Sequence, residues 1–132
     1  MHKLASTLLV DDDETTSYVN ELLLIDMGVT ERVLTAYNGK DALELMLVQC
    51  QKGECPSLIL LDINMPVMNG IEFLKHYHDL DFPHKQSVVI GMLTTSLNTQ
   101  DLSSLQGLPY HDFLSKPLTE AKVENLLNEH FA

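Results

Sequence analysis

Short apolar runs alternate along the chain with longer stretches in which apolar residues recur at helical spacing. Leu8-Leu9-Val10 is a short run that ends in Asp11-Asp12-Asp13. From Thr15 to Met27, Val19, Leu22 and Leu23 recur at helical spacing, and Gly28 follows as a stop. Arg32 to Ala36 reads as a second strand. Asn38-Gly39 opens a helix with Ala42, Leu43, Met46 and Leu47 on one side. Cys50 to Ser57 is a connector containing Gly53 and Pro56. Leu58-Ile59-Leu60-Leu61 is apolar throughout, as a strand buried on both faces would be, and Asp62 ends it. The segment from Asn64 to Gly70 is dense in turn residues and leads into a helix from Ile71 to about Tyr77. Asp79 to Lys85 connects onward to a fourth strand, Val88 to Leu93. Asn98 caps a fourth helix carrying Leu102 and Leu105, and Phe113-Leu114 marks a short fifth strand. Thr119 caps the fifth helix, whose buried stripe is Val123, Leu126 and Leu127.

Strands alternating with helices of this length predict an α/β fold, a doubly wound five-stranded parallel sheet with helices on both faces. Right-handed crossovers restrict its topology, and the flavodoxin-like (βα)5 order 2-1-3-4-5 is expected. Residues 1–132 are expected to form one domain. No GxGxxG follows the first strand and no GxxxxGK[ST] occurs, so neither nucleotide-binding fingerprint is present.

Composition narrows the function. Hydrophobic residues make up 45% of the chain, enough for a full core. With 8 Lys and Arg against 19 Asp and Glu, the net charge is -11. That charge argues against direct nucleic-acid binding and against an anionic-membrane anchor. No apolar run approaches the roughly 20 residues needed to span a bilayer. The first residues carry no signal-peptide pattern, so a cytoplasmic location is expected. Cys50 and Cys55 lack CxxC spacing and read as two reduced thiols. The six histidines show no ligand spacing on a helix face and read as surface residues. Met65 and Met68 read as packing.

In doubly wound sheets, ligands bind outside the carboxyl ends of the strands, at the switch point between strands 1 and 3. Strand 1 ends in Asp11-Asp12-Asp13, strand 3 in Asp62, strand 4 in Thr94-Thr95-Ser96 and strand 5 in Ser115-Lys116-Pro117. Three carboxylates brought together repel one another, and a divalent cation removes that penalty. Hard oxygen ligands with room for water favour magnesium. Asp12 is the best direct ligand and Asp11 a water-mediated one, with Asp13 turned outward as a helix cap. The triplet alone fits solvated caps equally well. Asp62, after four apolar residues, is poorly explained by solvation. As a carboxylate nucleophile it could attack phosphorus and form an acyl phosphate. Lys116 would offer positive charge to the phosphoryl oxygens and Thr94 a hydroxyl.

The segments Leu9 to Asp13, Leu60 to Gly70, Leu93-Thr94 and Phe113 to Pro117 resemble the receiver domains of two-component response regulators, in order and spacing over nearly the whole chain. The resemblance implies a signalling receiver in a phosphorelay, not a separate enzyme. Asp62 would take a phosphoryl group from a histidine kinase or a histidine phosphotransfer protein. Magnesium would be held by Asp12, Asp62 and the backbone carbonyl of Asn64, with Asp11 acting through water. Thr94 and Lys116 would contact the phosphoryl group, Phe113 would be the switch aromatic, and Lys116-Pro117 would be cis. A downstream protein target would bind the face formed by helix 4, strand 5 and helix 5, on a monomer or weak dimer. Phe stands where Tyr is common, which removes any hydroxyl-dependent contact. The chain ends just after the fifth helix, so no output domain is expected, whether it is a stand-alone regulator or a receiver cut from a larger protein.

Three rivals are weaker. A phosphohydrolase of the haloacid-dehalogenase type needs an acid two residues after its nucleophile, and Asn64 cannot serve. A flavin carrier of the same fold would have Ser, Thr and Gly after strand 1, where three acids stand. A degenerate receiver used only for docking would have no need to keep Asp12, Asp62, Thr94 and Lys116 together.

Overall fold

In the computed structural model of the chain, residues 3–82, 85–95 and 103–131 are described. Five strands, β1 (Leu4–Val10), β2 (Thr30–Ala36), β3 (Leu58–Asp62), β4 (Val89–Thr94) and β5 (Asp112–Ser115), form one sheet in the order β2-β1-β3-β4-β5. All four pairings are parallel. The helices are α1 (Glu14–Met27), α2 (Gly39–Gln51), α3 (Gly70–Asp79) and the last helix, α4 (Glu120–Phe131). The helix expected to open at Asn98 falls largely on residues outside those described, although Leu105 is buried.

Alternation along the central strands splits the core in two. Leu8, Val10, Ile59, Leu61, Ile90 and Met92 face one way, onto Ala42 and Met46 of α2 and Phe73 and Leu74 of α3. Leu9, Leu60 and Leu93 face the other, onto Leu24 of α1 and Val123, Leu126 and Leu127 of α4. Both faces are covered, which is why β3 and β4 are buried at every position.

The helix ends follow the sequence closely. The Asp13 side chain accepts from the Thr15 and Thr16 amides, and Gly28 closes α1 in the left-handed region at φ 66. Asn38 accepts from the Asp41 amide at the start of α2. Thr119 accepts from the Lys122 amide at 3.3 Å at the start of α4. Asn69 and Glu72 form a capping box, so α3 begins at Gly70 rather than Ile71 and runs on to Asp79. Strand β1 begins earlier than Leu8 because Ser6 and Thr7 are buried in the ladder beside Arg32 and Val33.

Two expectations are corrected. Cys50 and Cys55 are not free thiols; they are joined in a disulfide, with Cα atoms 4.2 Å apart. Gly53, at φ 77, turns the chain back, and the Glu54 amide donates to the Gln49 carbonyl at 2.8 Å. That turn returns Cys55 to the end of α2. The apolar stripe of α1 is also displaced. Its buried residues are Ser17, Asn20 and Leu24, while Val19 and Leu22 are exposed.

Gly91, inside β4, leaves room for neighbours: a Cβ there would lie 3.3 Å from Leu60 Cδ2 and 3.6 Å from Leu126 Cδ2. Gly70 is tighter. A Cβ would collide with the Asp62 backbone carbonyl and come within 3.0 Å of Ile63 Cα, and backbone cannot rotate away. Gly70→Ala should therefore destabilise the chain by about 3 kcal/mol, the upper end of overpacking costs. Urea unfolding measures this, and a loss no larger than that of Gly91→Ala would contradict the close approach.

Candidate functional site

The parallel register assembles the site. Val10 pairs with Leu61, so Asp11 and Asp62, one residue further on, are neighbours at the carboxyl edge of β1 and β3. Asp62 itself pairs with Leu93, and Thr94 with Ser115. The Lys116 amide donates to the Thr94 carbonyl at 2.9 Å and carries the ladder one step beyond β5. Beyond this edge α1 leaves toward one face and α3 toward the other, which opens the crevice of a doubly wound sheet.

Asp11, Asp62 and Thr94 are polar yet nearly closed to solvent, at 3%, 6% and 6% exposure. Asp11 is held by the Asp13 amide, which donates to its Oδ1 at 2.9 Å. Its Oδ2 accepts from Lys116 Nζ at 2.9 Å, and the same Nζ lies 3.4 Å from Asp62 Oδ2. The Asn64 amide donates to Asp62 Oδ1 at 3.4 Å. Asp12 is exposed, but one of its carboxylate oxygens lies within 4.8 Å of those of Asp11 and Asp62. Asp13 stands apart as the α1 cap.

One ammonium thus touches two members of a cluster of three carboxylates. Burial raises the Asp62 pKa, and the Asp11 charge raises it further against the pull of Lys116. Burial works against the Lys116 charge, but the hydrogen bond to Asp11 and the Asp62 charge outweigh it and hold the Lys116 pKa up. The residual negative charge, the all-oxygen donor set and the open side at Asp12 fit a hydrated magnesium ion.

Phe113 is half-buried, with its ring centroid 4.8 Å from that of Tyr110. The Lys116-Pro117 peptide is cis. Met65 is buried and Met68 packs against the same core. His76 and His78 are exposed, and His84 lies outside the described residues. Two features had no readable signal in the sequence. Val67, in the loop after Asp62, has φ 68, an unfavourable angle for a β-branched residue. On α1, the exposed residues Tyr18, Val19, Leu22 and Ile25 form an apolar surface. A groove of about 380 Å³ runs from Thr16 and Val19 to Lys116 and Leu118, which joins that surface to the site.

Because the Asp62 pKa is raised, the folded chain binds more protons than the unfolded chain between the ordinary value of 3.8 and the raised one. Stability contributed by this group is therefore full below the ordinary value and is lost as pH rises through the raised one. Without metal, Asp62→Asn should be more stable than the parent at neutral pH, and the gap should close on acidification. Urea midpoints measured in chelator across that range test this. An equal or lower midpoint for Asp62→Asn at neutral pH would falsify the electrostatic account.

Comparison with known proteins agrees with this geometry. The two-component response regulator 24 of Arabidopsis thaliana is 32% identical over 124 residues, covering 94% of this chain and 82% of that protein. A crystal structure of a two-component response regulator from Cytophaga hutchinsonii superposes with a TM-score of 0.86 at 29% identity, over 97% of both chains. One from Legionella pneumophila gives 0.78 at 31% identity, over 95% of this chain and 96% of that one. The family model for the response regulator receiver domain matches residues 7–128, a span running from within β1 into α4 and containing every acid, hydroxyl and amine of the crevice. The chain belongs to the response regulator receiver domain family.

Proposed function

We propose that residues 1–132 act as one receiver unit in which Asp62 accepts a phosphoryl group from a histidine kinase or a histidine phosphotransfer protein. The observation that carries this reading is a buried carboxylate beside a second buried carboxylate and within 3.4 Å of a single lysine. An Asp62 oxygen attacks phosphorus, the P–N bond to the donor histidine breaks, and its electron pair returns to the imidazole nitrogen. Lys116 would then face the new phosphoryl oxygens, and the Thr94 hydroxyl would donate to one of them. A magnesium ion held by Asp12, Asp62 and the Asn64 carbonyl, with Asp11 acting through water, would supply charge neutralisation to the transferring group. Asp11 keeps Lys116 oriented when no phosphoryl group is present.

The donor must bring a histidine to the open edge. The apolar surface of α1 beside the groove suits that docking, and Val19 belongs to both. A downstream protein would bind the face formed by the segment after Asn98, β5 and α4, coupled to the site through Thr94 and Phe113. The unit would work as a monomer or weak dimer in the cytoplasm, where such donors are charged. In that reducing compartment the Cys50–Cys55 disulfide would open to two thiols.

Acetyl phosphate with magnesium should add one phosphoryl group to the parent and none to Asp62→Asn, read by intact mass. Val19→Asp should keep the acetyl phosphate rate but slow transfer from a phosphohistidine protein by about tenfold. Loss of both rates together would remove α1 from the docking role. Equal labelling of Asp62→Asn would remove Asp62 as acceptor.

Asp12 and Asp13 separate metal binding from capping. Asp12→Ala should weaken magnesium binding by at least about tenfold. Asp13→Ala should leave it nearly unchanged while lowering the unfolding midpoint, because it removes the α1 cap. Calorimetric titration of both variants distinguishes the roles, and equal loss of magnesium binding would shift the ligand register by one residue.

A further inference from the structure

A second group of metal-binding side chains lies at the far end of β5. Asp112 opens that strand and pairs with Gly91, three register steps back from the Thr94–Ser115 pair, or about 10 Å along a strand. Glu129 and His130 lie in the last turn of α4, which runs back along the sheet and ends beside the start of β5. His130 Nε2 is 3.4 Å from Asp112 Oδ2 and 3.7 Å from Glu129 Oε2. One ligand atom from each of the three residues falls within 4.8 Å of the others.

The donors are partly organised in advance. The other Asp112 oxygen, Oδ1, accepts from the Phe113 amide at 2.8 Å, which fixes the carboxylate and turns Oδ2 toward His130. The His111 ring stands edge-on to His130 at 5.9 Å and backs it on one side. His111 is itself engaged, because its Nδ1 accepts from the Ile90 amide at 3.0 Å. It is therefore a wall of the site and not a ligand. Such orienting contacts around ligands are what raise metal affinity.

Charge and chemistry call for a cation. Among the described residues, neither Asp112 nor Glu129 has a lysine or arginine partner; both turn to His130. Glu129 and His130 lie in the last turn of α4, the end at which a helix dipole is negative. This differs from the Asp62 crevice, where Lys116 supplies a positive charge. One imidazole nitrogen with two carboxylates disfavours magnesium, which takes oxygen ligands, and favours zinc or a neighbouring late first-row ion. Ligand bonds near 2.1 Å in tetrahedral array put ligand atoms about 3.4 Å apart, so the two shorter edges need only small adjustments. Side-chain exposures of 21% for His130, 31% for Asp112 and 64% for Glu129 leave a fourth position open to water.

We propose that Asp112, Glu129 and His130 form a site for a divalent transition metal, with zinc as its natural probe, that staples the end of α4 to the start of β5. The site is separate from the Asp62 crevice and does not rest on the phosphoryl-transfer reading.

Zinc titration of the full chain in millimolar magnesium, added to compete for the acidic crevice, tests it. Calorimetry should give one zinc per chain. His130→Ala and Asp112→Ala should each weaken it at least about tenfold, while Asp12→Ala leaves it unchanged. In NMR spectra zinc should shift the amides of Asp112, Phe113, Glu129 and His130 and spare Asp62 and its neighbours. His130→Ala binding zinc as tightly as the parent overturns the site. So do shifts centred on the crevice, or on His76 and His78.

Discussion

The pairing of β1 with β3 is the constraint on which the candidate site depends. Once Val10 sits opposite Leu61, the next residue of each strand lies beside the other at the edge where the ladder ends. Both residues are aspartates, and both are buried. Two such carboxylates would drive each other toward protonation, and Lys116 reaches them only because β5 and β4 hold their own register. The crevice is therefore a product of three independent strand pairings, and the packing of both core faces serves to hold those pairings fixed.

Much of this was legible because parallel sheets write themselves plainly. A strand buried on both faces must be continuously apolar, so Leu58 to Leu61 declared β3, and the acid that ended it declared the edge. Strand order then followed from right-handed crossovers and a known switch point. The cap residues Asp13, Asn38 and Thr119 were readable for a local reason: each satisfies amides within three residues of itself. The placement of Asp11, Asp62, Thr94 and Lys116 at one edge was readable because it needs only strand ends and order, with no side-chain detail.

What escaped the sequence depended on contacts that periodicity does not encode. On α1, Val19, Leu22 and Leu23 fit a helical repeat, yet the face turned inward carries Ser17, Asn20 and Leu24. Ser17 is drawn in because its hydroxyl reaches the Asp11 carbonyl at 3.5 Å, next to the crevice. On this helix Ser17 and Asn20 are buried while Val19 and Leu22 stay outside, which reverses the usual inference from hydrophobicity. The Cys50–Cys55 link escaped for another reason. Their spacing carries no motif, and their meeting depends on the left-handed turn at Gly53. The conformation of Val67 was invisible too, since residue type gives no hint of a positive φ there.

The same topology that gathers acids at one pole gathers a mixed set at the other. Each helix of a parallel sheet runs back against its strands, so the end of α4 returns to the start of β5. Glu129 and His130 are thereby delivered to Asp112 although 17 and 18 residues separate them from it in sequence. A histidine search along single helix faces cannot find such a group, because Asp112 lies on β5 and not on α4. The two poles then differ in one decisive respect. The crevice at Asp62 is acidic, oxygen-only and already contains an ammonium, which suits a weakly held, hydrated ion and a transient phosphoryl group. The cluster at His130 has an imidazole, no ammonium and a carboxylate locked by a backbone amide, which suits a softer ion held for structure. Because β5 carries Asp112 at one end and leads into Lys116 at the other, an ion at the far pole would act on the strand that also positions the lysine.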